Sequence, residues 1–106
     1  MGIVITNDEP RHRWEIFEDG ELAGVLAYRD LGDAVDLVHT EIDPARGGRG
    51  LAAVLVAHVL DDARDKGRMV VPSCPYVHRF IDERRDAYLD LVADTARSSF
   101  DQVPDA

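Results

Sequence analysis

Three groups of residues in this chain have types and spacings suited to chemistry. The first is the run Arg46-Gly47-Gly48-Arg49-Gly50-Leu51-Ala52. Its glycines let a backbone approach an anion closely, the first amides of a following helix point at that anion, and two arginines add positive charge. The second is Cys74, the chain's one cysteine, just before Pro75. A thiol ahead of a helix start gains thiolate character from the helix dipole. The third is His39 with Glu41, two residues apart and therefore on one face of a strand, where both can accept a proton. Each group also has a plainer reading: a turn that starts a core helix, a small buried hydrophobe, and a histidine and carboxylate that brace a strand.

These groups must be positioned by the elements between them. Gly2 to Thr6 reads as a short strand, and Asn7 to Pro10 supplies turn chemistry. Trp14 and Ile16 alternate with Arg13, Glu15 and Glu18, Asp19-Gly20 is the dipeptide of a tight hairpin, and Glu21 to Tyr28 returns as a strand. After the turn at Leu31-Gly32-Asp33, Ala34 to Ile42 forms a fourth strand. Strict alternation there puts Val35, Leu37, His39 and Glu41 on one face and Asp36, Val38, Thr40 and Ile42 on the other. Asp43-Pro44 stops it. Leu51, Leu55, Val59 and Ala63 then recur at helical spacing as far as Asp65 and Lys66, and Gly67 ends that helix.

Met69 to Val71 is a short apolar strand, Pro72 to Pro75 breaks it, and Tyr76 to Arg84 resumes helical spacing through Val77, Phe80 and Ile81. A last helical piece holds Tyr88, Leu91 and Val92, and the apolar pattern thins from Asp94 into an expected frayed tail. The order β-β-β-β-α-β-α predicts an α/β fold of the α+β type: an antiparallel meander, then a β-α-β crossover with parallel strands. Residues 1–93 are expected to form a single domain, with 94–106 as the tail.

Composition narrows the partners. A formal net charge of -9, from 21 acidic and 12 basic residues, repels a nucleic-acid backbone and disfavours that class of ligand. One cysteine forbids an internal disulfide, and no basic and apolar leader opens the chain, so a cytoplasmic setting is expected. The longest apolar stretch, Leu51 to Leu60, is far short of the ~20 residues that cross a membrane. His12, His39, His58, His78 and Cys74 do not cluster at ligand spacing, so no metal site is expected. A monomer or weak dimer is expected.

Which anion the glycine run would hold is decided by context. A nucleotide P-loop needs Lys then Ser or Thr after its last glycine, and Leu51-Ala52 follows Gly50 here. Gly48, Gly50 and Ala53 match the dinucleotide spacing, yet no acidic residue lies at Met69 to Ser73 to hold a ribose hydroxyl. The third possibility rests on motif order. His39-Thr40-Glu41, then Gly47 through Ala52, then Val71-Pro72-Ser73-Cys74-Pro75 occur in sequence. With these motifs the chain resembles the small, compact branch of the Gcn5-related N-acetyltransferases, from about Ile3 to Val92.

The resemblance implies an acetyl-CoA-dependent N-acetyltransferase acting on an amine of a protein, peptide or small molecule. It implies that coenzyme A places its pyrophosphate on Gly47, Gly48, Arg49, Gly50, Leu51 and Ala52, with Arg46 or Arg49 assisting. That family usually carries Gln or Arg where Gly47 stands. The pantetheine arm would follow Val38, Thr40 and Ile42, in a gap between that strand and Met69 to Ser73. Cys74 would lie at the acetyl end, as an acid to the leaving thiolate, an acetyl carrier or a wall of the pocket. His39 is the preferred base and Glu41 the second. The alternative is a module that holds coenzyme A or an acyl-CoA without turnover.

Overall fold

In the first forty residues, apolar and polar side chains alternate, and the result is four consecutive strands. The computed structural model describes residues 2–101. Strands β1 (Ile3–Asp8), β2 (Arg13–Glu18), β3 (Glu21–Asp30) and β4 (Ala34–Ile42) are antiparallel neighbours. A 3-10 turn, Glu9–Arg11, joins β1 to β2. Asp19 and Gly20 both take positive φ, 52° and 84°, which matches the twist that a two-residue hairpin turn requires. Helix α1 (Leu51–Asp65) carries the chain over the sheet to β5 (Met69–Val71), which lies parallel to β4 at the edge of the order β1-β2-β3-β4-β5.

One face of the sheet is buried. Ile16, Leu26, Leu37 and Val70 meet Leu55, Val56 and Leu60 of α1, all without exposure, and each such side chain contributes about 1.5–3 kcal/mol of transfer free energy. Helix α2 (Pro75–Asp82) adds Val77, Phe80 and Ile81 to the same core. The shortest dimension of the molecule, 19 Å, accommodates one sheet and one helical layer. The opposite sheet face therefore remains open, with Val4, His39 and Glu41 exposed.

The strict alternation expected along β4 does not hold. Ala27 pairs with His39 but Tyr28 pairs with Leu37, so Val38 is an extra residue, a bulge. The bulge switches the parity. Before it, Val35 and Leu37 face the core; after it, Thr40 and Ile42 turn inward while His39 and Glu41 turn out. His39 and Glu41 thus share a face with each other, as expected, but not with Val35 and Leu37.

Two further expectations change at the C-terminal end. Val92 continues no helix; it bridges to Val70 in parallel, after α3 (Arg85–Tyr88) and a 3-10 turn at Leu89–Leu91. Nor is the segment from Asp94 frayed as far as residue 101. It forms α4 (Asp94–Arg97) and a 3-10 turn, Ser98–Phe100, whose Phe100 is buried and stacks on His78 at 4.0 Å. The rest of the expected tail, 102–106, lies outside the described residues. Among the described residues, no helix is long and apolar enough to cross a membrane.

Gly24 fixes how closely β3 and β4 approach at Ile42, the end of β4. A Cβ there would lie 2.4 Å from Ile42 Cδ1 and 2.7 Å from the Glu41 carbonyl oxygen, and the backbone oxygen cannot rotate away. Gly24→Ala is expected to destabilise the fold by about 1–3 kcal/mol through overpacking. Urea unfolding would show this as a lowered midpoint with an unchanged slope, and an unaltered midpoint would contradict it.

Candidate functional site

Strand β4 pairs with β5 only from Ala34 to Asp36. The next contact is made by the loop beyond β5, where the Cys74 amide donates to the Leu37 carbonyl at 2.8 Å. After Leu37 the edge of β4 is released. Asp43 donates to the Ala23 carbonyl at 2.8 Å, and the same register makes Glu41 and His39 the residues bonded to β3. Alternation then directs the backbone groups of Thr40 and Ile42 the other way, along the released edge. The gap expected between β4 and Met69 to Ser73 is therefore placed differently: Met69–Val71 is bonded to β4, and the opening lies beyond Leu37, flanked by Val38–Ile42 and by Cys74.

The lower end of the opening holds Cys74. The residue is 3% exposed, and its thiol lies 3.4 Å from Thr40 Oγ1, to which it donates. Pro75 at the first position of α2 fits a helix start. Thr40 is on the inward side of β4, so Cys74 and Thr40 meet on one side of the strand while His39 and Glu41 project from the other. His39 Nε2 is 3.6 Å from Glu41 Oε1, and the two side chains are 63% and 72% exposed. The structure thus brings the two candidate bases together, and the thiol to Thr40, but does not bring bases and thiol into contact.

The upper end of the opening is the glycine run. Asp43 caps a 3-10 turn, Pro44–Arg46, and the chain then passes through Gly48 and Gly50 at φ 78° and 76°. L side chains rarely adopt that conformation. Gly47 differs: it is extended, with φ -67° and ψ 158°, and a side chain there would meet nothing closer than the Pro44 carbonyl at 3.4 Å. Gly50 starts α1 without any side-chain cap. The amides of Leu51, Ala52 and Ala53 therefore have no intrahelical acceptor, and they join the helix dipole in favouring an anion. Backbone alone forms this cradle.

Both arginines of the run are held elsewhere. Arg46 Nη1 donates to Glu18 Oε1 at 2.7 Å, Arg49 Nη1 donates to the same oxygen at 2.8 Å, and Arg46 also pairs with Glu21 and, at 3.7 Å, with Asp43. The Glu18 and Glu21 carboxylates raise the Arg46 pKa above its ordinary value. Glu18 is the residue that sequence reasoning passed over. It sits at the end of β2, 28 residues from Arg46, and no local pattern links the two. Its side chain is 13% exposed against 56% for Arg49, so Arg49 is the cation with freedom to leave for a phosphate.

The site is thus a split edge between β4 and β5 with an uncapped glycine-rich helix start above it and a buried thiol below it. Residues 13–91 match the model of the GCN5-related N-acetyl-transferase family, and the chain belongs to that family. The fold is shared with a GCN5-like protein of Staphylococcus aureus at a TM-score of 0.64 and 22% identity, covering 85% of this chain and 87% of that one. It is also similar to the ribosomal-protein-S18-alanine N-acetyltransferase of Escherichia coli, with TM-score 0.52, 20% identity and coverage of 55% and 38%. The N-acetylglutamate synthase of Neisseria gonorrhoeae, solved with coenzyme A and N-acetyl-glutamate, matches at TM-score 0.51 and 19% identity over 94% and 26%. The matched stretches thus span well under half the length of those two enzymes.

The carboxylate of Glu18 stands against any anion entering the cradle. Removing one unit charge about 6 Å from a phosphate in water is worth ~0.7 kcal/mol, and it also releases Arg49. Glu18→Gln is expected to tighten binding of inorganic pyrophosphate about threefold to tenfold at low salt, an effect that fades at high ionic strength. Titration calorimetry at two salt concentrations would read this, and unchanged or weaker binding at low salt would refute it.

Proposed function

We propose that the chain is an acetyl-CoA-dependent N-acetyltransferase that acylates an amine of a protein, a peptide or a small molecule. The observation that carries this reading is the released edge of β4, which runs from the uncapped start of α1 to Cys74. Acetyl-CoA as donor substrate supplies a thioester and a pyrophosphate joined by an extended amide-bearing arm. The residues present fit each part. The amides of Gly48 to Ala53 hold the pyrophosphate, with Arg49 assisting after it leaves Glu18, and Arg46 stays in place to fix the loop. The backbone groups of Thr40 and Ile42 pair with the arm as a neighbouring strand would, and the Val38 bulge gives them that direction.

At the acyl end, transfer needs a base for the amine proton and an acid for the departing thiolate. His39, with Glu41 beside it, takes the amine proton from the open face of the sheet. Cys74, on the inner side, gives its proton to the leaving thiolate and recovers one through Thr40. Direct transfer to the amine is favoured over an acetyl-cysteine intermediate, because neither candidate base reaches the buried thiol. This division places the acceptor on the uncovered face and the donor in the gap. The site works within a monomer or weak dimer and takes no metal and no nucleic acid.

Release of free thiol from acetyl-CoA in the presence of an amine panel tests the activity. Cys74→Ala is expected to lower kcat about 10- to 100-fold with a small change in KM, and His39→Ala to do the same. Mass spectrometry after incubation with acetyl-CoA alone should find no acetyl group on Cys74. Tight binding of acetyl-CoA with no thiol release across the panel would replace the enzyme by a coenzyme A holding module, and no binding would remove both.

A further inference from the structure

A second recess lies at the far end of the molecule. It opens between the β1–β2 connection, the outer ends of β3 and β4 and the last turns of α1, with a volume of about 270 Å³. Helix α1 has fifteen residues and so spans about 22 Å, which separates this recess from the glycine run at its other end. Nothing in the acyl-transfer reading uses it.

Its floor is aromatic and its polar groups are fixed. Trp14 and Tyr28 form the base, each less than a tenth exposed. The Tyr28 hydroxyl donates to Asn7 Oδ1 at 2.7 Å, leaving its own lone pairs free to accept. Burial, with the nearby Glu9 and Asp30 charges, raises the Tyr28 pKa, so the phenol stays neutral. His12 closes one wall at 6.0 Å from the Tyr28 ring, held in the left-handed region at φ 52° by the 3-10 turn before it.

Charge decides what the recess would take. Its cations are already matched: Arg68 pairs with Asp30 at 2.7 Å and donates to the Ala34 carbonyl, and Lys66 pairs with Asp62 at 3.0 Å. Glu9 is the lining carboxylate left without a cationic partner among the described residues. The lining therefore sums to one negative charge beside ring faces that attract cations, on a chain whose net charge is -9. An anion would have to displace two ion pairs to enter; a cation displaces none.

We propose that this recess is a binding site for a small organic cation, with an ammonium head set between Glu9, the Tyr28 oxygen and the aromatic floor. Its volume lies just below the usual range for small-ligand sites, which suits a short alkylammonium. The test is a nuclear magnetic resonance titration of the full chain with n-butylammonium chloride, with sodium chloride and sodium acetate at matched ionic strength as controls. Saturable shifts are expected at the Trp14 indole and at the His12 and Ala63 amides, with none at Gly48 or Gly50. Glu9→Gln, an exposed change that leaves the fold intact, should weaken binding at least fivefold, and Tyr28→Phe at least twofold. The proposal is overturned if no saturable shift appears, if sodium chloride or acetate reproduces it, or if Glu9→Gln binds equally well.

Discussion

Strand β4 has two incompatible neighbours, and the rest of the site follows from how it satisfies them. On one side it must stay in register with β3 to Ile42, because that pairing closes the hydrophobic face over α1. On the other it pairs with β5 for three residues only. A β-strand edge left unpaired costs hydrogen bonds unless water or a ligand supplies them. The chain exposes that edge at the one place where it lies between a helix N-terminus and a buried thiol. The same extended backbone thus supports the core on one side and offers donors and acceptors on the other.

The bulge at Val38 makes this arrangement possible. Without it, alternation would carry Leu37 and His39 to the same face, so that an imidazole would enter the apolar core and Thr40 would face solvent, away from Cys74. One extra residue reverses the parity, keeps Leu37 buried, and sends His39 and Glu41 to the uncovered face. The two sides of β4 then acquire different chemistry. The inner side has a buried thiol and a half-buried hydroxyl, and the outer side has two titratable groups in contact with water. A reaction that must take a proton from an amine and deliver one to a thiolate gains from this separation, since a base in contact with the thiol would deprotonate the acid it depends on.

Much of this was legible in the sequence. The Asp-Gly hairpin, the helical period from Leu51 to Ala63 and the glycine run each depend on neighbouring residues, and local steric rules fix them. The bulge was not legible, because Val38 is an ordinary strand residue and its displacement arises from pairing with β3. The Glu18 contact to Arg46 and Arg49 was equally hidden, since it joins a hairpin end to a loop far along the chain. Phe100 and its stack on His78 were missed for a related reason: one aromatic in a polar segment shows no period, and the contacts that anchor it, the His78 ring and the Arg85 bond to the Phe100 carbonyl, come from residues 15 or more positions away.

The proposed function asks an acidic protein to bind an anion at a glycine run ringed by carboxylates. With a net charge of -9, long-range attraction of a polyphosphate is absent, so binding rests on short-range amides that water competes for weakly once they are aligned. Alignment is then the limiting requirement. Arg46 meets it by tying the loop to the β2–β3 hairpin through Glu18 and Glu21, with Asp43 alongside, and a glutamine oxygen at residue 18 could accept from Arg46 just as the carboxylate does. That order comes at an electrostatic cost, because the same carboxylate opposes the ligand. Arg46, with three carboxylates around it, is committed to the structure, whereas Arg49 has one partner and an exposed side chain and can change hands. Gly47 sharpens the point. It has room for a side chain and no φ that demands glycine, so the loop gives up a polar contact there and relies on backbone geometry that the several contacts of Arg46 maintain.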